Sequence, residues 1–347
     1  MTVTTRFAPS PTGRLHVGNL RTALVNWLFA RGAGGRFLLR LDDTDAERSR
    51  TEYADAIMDD LAWMGMTPDD VVRQSERTVL YEAAFDRLVA NGRVYPAWET
   101  ADELDLKRKV QRSRGLPPVY DRAALALSDA EKAAFEAEGR KPHWRFKLET
   151  DAAILWTDRV RGPAEVNPAS LSDPVVRRAD GSWLYMLPSV VDDIDLGITH
   201  VVRGEDHVTN SGVQIQMFAA LGAEPPEFAH LSLLTAAEGD KLSKRDGALS
   251  VGDLRDDGIE PLALAAMLAR LGTSQPVEAV GAMDDLVASF DFDHFGRAAA
   301  KFDPKDLAAL NAKIVHQMPY EDVRGRLPNA MNEDAWTVVR QNAQRVS

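Results

Sequence analysis

The stretch from Arg6 to Gly32, RFAPSPTGRLHVGNLRTALVNWLFARG, passes from a strand pattern to a helix pattern within a few residues. Residues 3–8 predict a short strand, and apolar residues at helical spacing from Val17 predict a helix that ends at Gly32. A helix that begins directly after a strand presents free backbone amide hydrogens, which attract anions. His16 lies at this helix start. The stretch therefore predicts an α/β fold with an anion site at its first crossing.

The alternation of strands and helices continues along the chain. Residues 37–41 predict a buried parallel strand, and helices are expected near residues 53–65 and 78–90. Segment 101–185 is charged at its start and then shows short strand patterns, which indicate an antiparallel-rich insertion. The α/β pattern then resumes, and the chain after residue 250 reads as helical. These patterns predict an α/β sheet with right-handed crossovers.

Composition narrows the class of protein. A chain of 347 residues is expected to form two or three domains. It has no cysteine, which excludes disulfides, thiol catalysis and cysteine-based zinc sites. No apolar run suits a membrane helix and no signal-peptide pattern is present, so we expect a cytoplasmic protein. A net charge of −12 argues against a general nucleic-acid binder but is compatible with one local basic face that binds RNA.

Two short motifs carry the chemistry. His16 and Gly18 form an HxG motif that, by itself, most often only starts a helix. The string KLSKR at residues 241–245 would, by itself, indicate a solvated basic loop. Together they suggest a clamp on a triphosphate, because lysine ammonium groups can follow the charge that shifts during nucleotidyl transfer. The phosphate-loop pattern GxxxxGK[ST] and the dinucleotide fingerprint GxGxxG are both absent from the sequence.

PSPTGRLHVGN and KLSKR resemble the two signature motifs of class I aminoacyl-tRNA synthetases. With RLDDTD and VVDDIDLGITHVVRGEDH, which occur in the same order, the chain is similar to bacterial glutamyl-tRNA synthetases over about residues 3–320. The resemblance implies a Rossmann-like parallel-sheet catalytic domain with an α+β insertion, followed by an all-α C-terminal region. The implied bounds are 1–100 and 186–245 for the catalytic domain, 101–185 for the acceptor-end-binding insertion, 246–300 for a helical stem-contact domain and 301–347 for the start of an anticodon-binding region.

The same resemblance implies an activity. L-Glutamate reacts with ATP to give glutamyl adenylate, and the glutamyl group passes to the 3′-terminal adenosine of tRNA-Glu, with tRNA-Gln left open. ATP is expected with Mg²⁺. Many relatives carry a zinc knuckle in the insertion, but VYPAWET at residues 94–100 has no cysteine, so no zinc is expected. The expected partners are tRNA, L-glutamate and ATP, without a membrane, for a monomeric protein.

The resemblance also assigns roles by position, in four overlapping sets. The catalytic set is His16, Lys241 and Lys244. The ATP-binding set is Gly13, His16, Gly18, Asn19, Lys241, Ser243 and Lys244. The glutamate-binding set is Arg6, Ala8, Ser10, Asp42, Tyr185, Ser189 and Arg203. The tRNA-binding set is Lys107, Arg108, Lys109, Arg112 and Arg114. No residue is expected to bind a metal directly.

Each assignment has a simpler alternative. Two arginines suit a dicarboxylate, but Arg203 is also placed to form an ion pair with Glu205 or Asp206. The acidic string at residues 42–45 suits either Mg²⁺ or a helix N-cap, and we favour capping for Asp45 and substrate contact for Asp42. The basic cluster at residues 107–114 is equally compatible with a solvated helix face.

The chain departs from the family pattern at two substrate positions. Asp42 is one methylene shorter than the usual glutamate, and Ser189 stands where many relatives have asparagine. Three rival functions remain: a paralogue that attaches glutamate to a modified tRNA base, a catalytically silent tRNA-binding module, and a small-molecule nucleotidyltransferase. Both signatures are intact, which argues against the silent module. The two arginines together with the lysine loop argue against the nucleotidyltransferase.

Replacing Lys244 with alanine is expected to lower kcat for amino-acid activation, because a cation that stabilises the developing phosphoryl charge is removed. The measurement is pyrophosphate exchange at saturating glutamate and ATP. A normal exchange rate would take Lys244 out of the site.

Overall fold

The structure is a computed structural model that describes residues 2–236 and 250–346. The strands are β1 Thr4–Phe7, β2 Arg36–Leu41, β3 Asp70–Arg73, β4 Val94–Ala97, β5 His143–Phe146, β6 Ile154–Asp158, β7 Gly162–Val166, β8 Val175–Arg177, β9 His200–Gly204, β10 Glu227–Leu231, β11 Leu234–Ala236 and β12 Ala300–Phe302. The α-helices are α1 Val17–Gly32, α2 Thr51–Trp63, α3 Thr78–Ala90, α4 Ala101–Ser113, α5 Asp129–Ala137, α6 Met186–Asp195, α7 Val208–Ala220, α8 Val251–Asp256, α9 Pro261–Arg270, α10 Met283–Ala288, α11 Pro304–Val315, α12 Tyr320–Val323 and α13 Glu333–Val339.

A seven-stranded sheet forms the centre of the fold, in the order β3-β2-β1-β9-β10-β6-β7. All neighbours pair in parallel except β6 and β7, which form an antiparallel hairpin. From β1 the chain builds outward to β2 and β3 on one side, and later to β9 and β10 on the other. In such sheets the point where the strand order reverses opens a crevice at the carboxyl ends of the strands. The predicted α/β fold class is confirmed.

Helix α1 lies at the centre of this arrangement, with the predicted bounds. It packs against β1 and β9 on one side and against α9 and α10 on another, so apolar residues are buried around most of its circumference. The chain leaves the helix through Gly34, whose φ of +61° lies in the left-handed region that glycine adopts without a Cβ clash. This burial packs α1 between the sheet and the C-terminal helices.

The small second sheet is antiparallel, in the order β4-β5-β8. Strands β6 and β7 fall within residues 101–185, which the sequence analysis assigned to the insertion, but they belong to the main sheet. The reason is a parallel pairing of Phe228 with Asp158, which attaches the hairpin beside β10. The predicted domain bounds themselves stay a prediction.

The part of the chain after residue 250 is helical apart from β12, which pairs in parallel with β11. Helices α9 and α11 share the large core that also contains α1. A smaller cluster around Val315, Val323 and Trp336 closes the C-terminal end. Across residues 2–236 and 250–346, no helix has both the length and the apolar character needed to cross a bilayer.

Asn26 ties α1 to the strand that carries Arg203, because its buried amide donates hydrogen bonds to the carbonyls of Val202 at 3.0 Å and Thr22 at 2.8 Å. Replacing Asn26 with alanine is expected to lower the free energy of unfolding by about 1–3 kcal/mol, since a buried carbonyl loses its partner. Urea denaturation followed by circular dichroism measures the change. Asn91→Ala, at an exposed position after α3, is the matched control. Equal stability of the two variants would refute the tether.

Candidate active site

A cavity of about 550 Å³ opens at the carboxyl ends of β1, β2, β9 and β10. Its walls come from the residues at and just after these strand ends and from the first turn of α1. The cavity therefore lies at the reversal of strand order, where parallel sheets bind their ligands. Six residues that the sequence analysis assigned to ATP or glutamate around β1, α1 and β2 line this space: Arg6, Ala8, His16, Gly18, Asn19 and Asp42.

His16 is both the N-cap of α1 and part of the cavity wall. Its Nδ1 accepts hydrogen bonds from the backbone N–H groups of Gly18 at 3.1 Å and Asn19 at 3.3 Å. A ring nitrogen that accepts is unprotonated, so the neutral ring carries its proton on Nε2. A Cβ on Gly18 would lie 3.0 Å from Cε1 of this ring, which explains the glycine of the HxG motif. The helix-start and site interpretations of His16 are thus compatible.

Arg40 organises the floor of the site, although the sequence analysis missed it. Its Nε and Nη2 donate to the two carboxylate oxygens of Asp42 at 2.7 and 3.1 Å, and its Nη1 donates to Asp193 at 2.8 Å. Burial works against its charge, but Asp42, Asp193 and Asp192 outweigh burial and raise the pKa of Arg40. An arginine inside the apolar run RFLLRL was the available signal, because buried arginines are nearly always paired.

Arg6 binds the same acidic residue from the neighbouring strand. Its Nε and Nη2 donate to the carboxylate oxygens of Asp193 at 3.1 and 3.3 Å. Burial opposes ionisation of Asp193, but Arg6 and Arg40 outweigh burial and hold the pKa of that carboxyl below its usual range. One carboxylate from α6 therefore joins arginines on β1 and β2.

Ser189, predicted to contact glutamate, lies beneath this floor. It is fully buried, and both its carbonyl and its hydroxyl oxygen accept hydrogen bonds from Arg40 at 3.2 Å. It is not part of the cavity wall. Ser10 and Gly13 also lie outside the wall, and Ser10 is exposed. Any influence of Ser189 on a ligand would pass through Arg40.

Arg203 lies in the opposite wall with neutral partners. Its Nη1 donates to the Tyr185 hydroxyl at 2.8 Å, and its Nη2 donates to Ser211 Oγ at 2.6 Å and Gln214 Oε1 at 2.7 Å. Among the described residues, its Nε has no hydrogen-bond partner and no carboxylate lies within ion-pair distance. Burial lowers the pKa of Arg203. Tyr185 also lines the cavity, as its assignment requires.

The ion pair predicted as the alternative for Arg203 is not formed. Glu205 pairs with Arg161 at 2.5 Å, and Asp206 lies 3.8 Å from His207. A buried guanidinium with only neutral partners is costly unless an anion completes its shell. The cavity wall therefore favours a negatively charged ligand group.

The aspartates that follow β2 form hydrogen bonds with different segments of the chain. Asp43 accepts hydrogen bonds from the backbone N–H and hydroxyl of Ser75, both at 2.8 Å. The expectation that Asp45 caps the next helix is wrong, because α2 begins at Thr51 with Arg50 as its N-cap. Asp45 instead accepts from the backbone N–H of Arg48 at 3.3 Å, within the preceding turn.

Lys241, Ser243 and Lys244 lie outside the described residues. The described residues on either side of that segment do reach the site. Leu234 and Thr235 line the cavity, and Ser250 forms a strand-like bridge with His16. The chain therefore approaches and leaves residues 237–249 beside the cavity wall.

The basic residues assigned to tRNA lie on or just after α4, a helix without buried residues. Lys107 pairs with Asp121 at 3.0 Å and Arg108 pairs with Asp105 at 2.6 Å. The other three have no acidic partner within ion-pair distance in the described part of the chain: Lys109, Arg112 and Arg114. The helix thus presents fewer available cations than its sequence indicates, and the assignment to tRNA stays a prediction.

Comparison with known proteins identifies the family. The family model of class I tRNA synthetases (E and Q), catalytic domain, matches residues 2–309. Glutamate–tRNA ligase 1 of Rhizorhabdus wittichii is 63% identical over 344 residues, covering 99% of this chain and 77% of the relative. Glutamate–tRNA ligase 2 of Erythrobacter litoralis is 63% identical over 350 residues, with the same two coverages.

A solved structure agrees with the sequence relatives. The crystal structure of a glutamate tRNA ligase from Elizabethkingia meningosepticum, in complex with its amino acid, superposes with a TM-score of 0.89 at 31% identity. The match covers 100% of this chain and 78% of that chain. The chain therefore belongs to the class I tRNA synthetases, in the family of the glutamate–tRNA ligases.

Proposed function

We propose that this chain activates L-glutamate with ATP and transfers the glutamyl group to the 3′-terminal adenosine of tRNA-Glu. The observation that carries the proposal is Arg203, a buried cation with neutral partners that faces a cavity at the N-terminus of α1. Such a wall suits an acidic amino acid beside a nucleotide. The relatives named as glutamate–tRNA ligases make this the reaction to expect.

Glutamate recognition is assigned to two of the arginines that line the cavity. Arg6 and Arg203, which line the cavity, are proposed to bind the two carboxylates, and Asp42 with the backbone of Ala8 is proposed to bind the ammonium group. Glutamine would leave a guanidinium opposite a neutral amide, at a cost of about 1.5–3 kcal/mol for each charged hydrogen bond lost. Ser10 stays a predicted contact, and Ser189 supports Arg40 from below.

ATP is assigned to the end of α1. The positive end of the α1 dipole suits phosphate oxygens, with His16, Gly18 and Asn19 beside it. Lys241, Ser243 and Lys244 are proposed to close on the triphosphate from the other side, and Gly13 stays a predicted contact. Mg²⁺ would arrive on the phosphates of ATP.

The reaction needs no protein nucleophile. The α-carboxylate of glutamate attacks the α-phosphorus of ATP, the bond to the bridging oxygen breaks, and pyrophosphate leaves. The terminal ribose hydroxyl of tRNA then attacks the glutamyl carbonyl and AMP leaves. The protein contributes positioning and stabilisation of the phosphoryl charge. Lys107, Arg108, Lys109, Arg112 and Arg114 are proposed to meet the acceptor end of the tRNA.

Pyrophosphate exchange tests the activity. Purified protein with glutamate and total tRNA is expected to incorporate labelled pyrophosphate into ATP, whereas glutamine and aspartate give background. Each amino acid is tested with and without tRNA, because many family members activate the amino acid only when tRNA is bound. Exchange that is independent of glutamate in every arm would refute the proposal.

Periodate treatment tests whether the terminal ribose of tRNA is the acceptor. Oxidation destroys the terminal ribose diol, so treated tRNA is expected to accept no labelled glutamate. Unchanged labelling of oxidised tRNA would assign the product to a base instead.

Replacing Arg203 with alanine is expected to lower kcat/KM for glutamate at least about 10-fold, because a charged hydrogen bond worth about 1.5–3 kcal/mol is lost. The KM for ATP should change little, since the loss is confined to the amino-acid wall. Arg178→Ala, at an exposed position after β8, is the matched control. Wild-type dependence on glutamate in Arg203→Ala would remove Arg203 from the site.

A further inference from the structure

A line of four polar side chains runs inward from the cavity wall. Arg203 Nη2 donates to Ser211 Oγ at 2.6 Å, and Ser211 Oγ lies 2.8 Å from His230 Nε2. His230 Nδ1 lies 2.5 Å from Asp158 Oδ2. The four residues come from β9, α7, β10 and β6, so the line crosses four separate elements.

One arrangement of protons satisfies the three contacts of this line, with the proton of Ser211 on the shorter contact to His230 rather than on the 3.3 Å contact to the His207 carbonyl. Arg203 donates to Ser211 Oγ, whose single proton is donated to His230 Nε2, and the Nδ1–H of His230 is donated to the carboxylate of Asp158. This arrangement needs a neutral imidazole. Burial lowers the pKa of His230, and a charged ring would place a second cation beside the oxygen that Arg203 already occupies.

The same three residue types form the catalytic triads of hydrolases, but the geometry here excludes that role. Ser211 is fully buried, and neither Ser211, His230 nor Asp158 lines the cavity. The hydroxyl oxygen accepts a hydrogen bond from a guanidinium, which withdraws electron density from it. A serine in this setting holds another group in place.

The inner end of the line is anchored firmly. Asp158 Oδ1 also accepts from the backbone N–H groups of His230 at 3.2 Å, Val160 at 3.0 Å and Arg161 at 2.8 Å. Asp158 is the residue through which β6 pairs with β10. The β6–β7 hairpin is thereby fixed to the strand that carries His230.

We propose that Ser211, His230 and Asp158 act as a positioning chain that fixes the guanidinium of Arg203 for the carboxylate of the amino-acid substrate. The inference rests on the function proposed above. Ser211 and Gln214 occupy both Nη2 hydrogens, and Tyr185 occupies one on Nη1. Rotation of the planar group is thus blocked, and one Nη1 hydrogen remains for a ligand, whereas the buried Nε–H has no hydrogen-bond partner among the described residues.

Preorganised donors discriminate because they cannot turn to suit another ligand. When the positioning chain is intact, the amide NH2 group of glutamine would face the N–H donor of Arg203, and two donors cannot form a hydrogen bond. When a residue of the positioning chain is replaced, Arg203 can shift and accommodate either glutamate or glutamine. Loss of the chain should therefore raise KM for glutamate and reduce the preference for glutamate over glutamine, while kcat at saturation stays near the wild-type value.

Ser211→Ala removes the hydroxyl with a small change in volume. We expect KM for glutamate in tRNA-dependent pyrophosphate exchange to rise about 10-fold, the loss of roughly one hydrogen bond to a charged group. KM for ATP and kcat should stay within about twofold of wild type, a difference of less than half a kcal/mol. Ser170→Ala, at an exposed position, is the matched control and should change none of these.

Two variants of His230 separate positioning from general packing. In His230→Gln the amide oxygen reaches the position of Nε2 and still accepts from Ser211, whereas His230→Asn reaches only the position of Nδ1. We expect His230→Gln, which keeps the contact to Ser211 but loses the one to Asp158, to raise KM less than His230→Asn, which should behave like Ser211→Ala. Equal effects of the two, or an unchanged KM and glutamate preference in folded Ser211→Ala, would overturn the positioning chain.

The wild-type enzyme separates this inference from the proposed function. Absence of glutamate-dependent exchange in wild type would refute the function itself. Normal exchange in wild type, with all variants equally active, would refute only the positioning chain. If Ser211→Ala does not fold, as judged by circular dichroism, the His230 pair alone decides the question.

Discussion

The contact on which the rest of the site depends is the carboxylate of Asp193 between two buried guanidinium groups. Arg6 on β1 and Arg40 on β2 both donate to it, at 3.1 and 2.8 Å. Each of these charges would be costly alone in the interior, and removing one partner of such a cluster leaves the others uncompensated. Because Asp193 lies on α6, far along the chain, this one residue joins the first strands to the segment that returns after the insertion. The floor of the cavity is therefore defined by electrostatics as much as by apolar packing.

The buried arginines on the floor of the cavity have acidic partners, whereas the arginine in the opposite wall does not within the described part of the chain. On the floor, Arg6 and Arg40 are matched by Asp193 and Asp42. In the opposite wall, Arg203 is buried, and its hydrogen-bond partners among the described residues are hydroxyl and amide oxygens. Neutral acceptors orient a guanidinium without cancelling its charge, so the compensating anion is left for a ligand to supply. This asymmetry gives the site both a rigid frame and an affinity for an acidic substrate.

The sequence was most informative where structure is local. The bounds of α1 follow from its apolar spacing and from the glycine after it, and α3 was also placed correctly. Contacts between residues that are distant in the sequence could not be predicted from it. Arg40 was missed because its partners Ser189 and Asp193 are distant in sequence. The sequence pattern of β6 and β7 indicates a hairpin but does not show that β6 pairs with β10. The two strands were therefore assigned to the insertion. The resemblance to a known family supplied eight residues of the cavity wall, and only the structure separated them from Ser189, which lies beneath the wall.

His16 shows why a short motif of this kind can carry more than one constraint. The imidazole caps α1 through Nδ1, which fixes the ring plane and leaves Nε2 as the protonated nitrogen. Its backbone pairs with Ser250, and the next residue, Val251, donates its N–H to the carbonyl of Leu15 at 3.0 Å. Ser250 then caps α8 through its own hydroxyl. The residue that starts one helix is thus joined directly to the residue that starts another. Ser250, the first described residue after the lysine-rich signature, therefore lies beside the first signature in the fold.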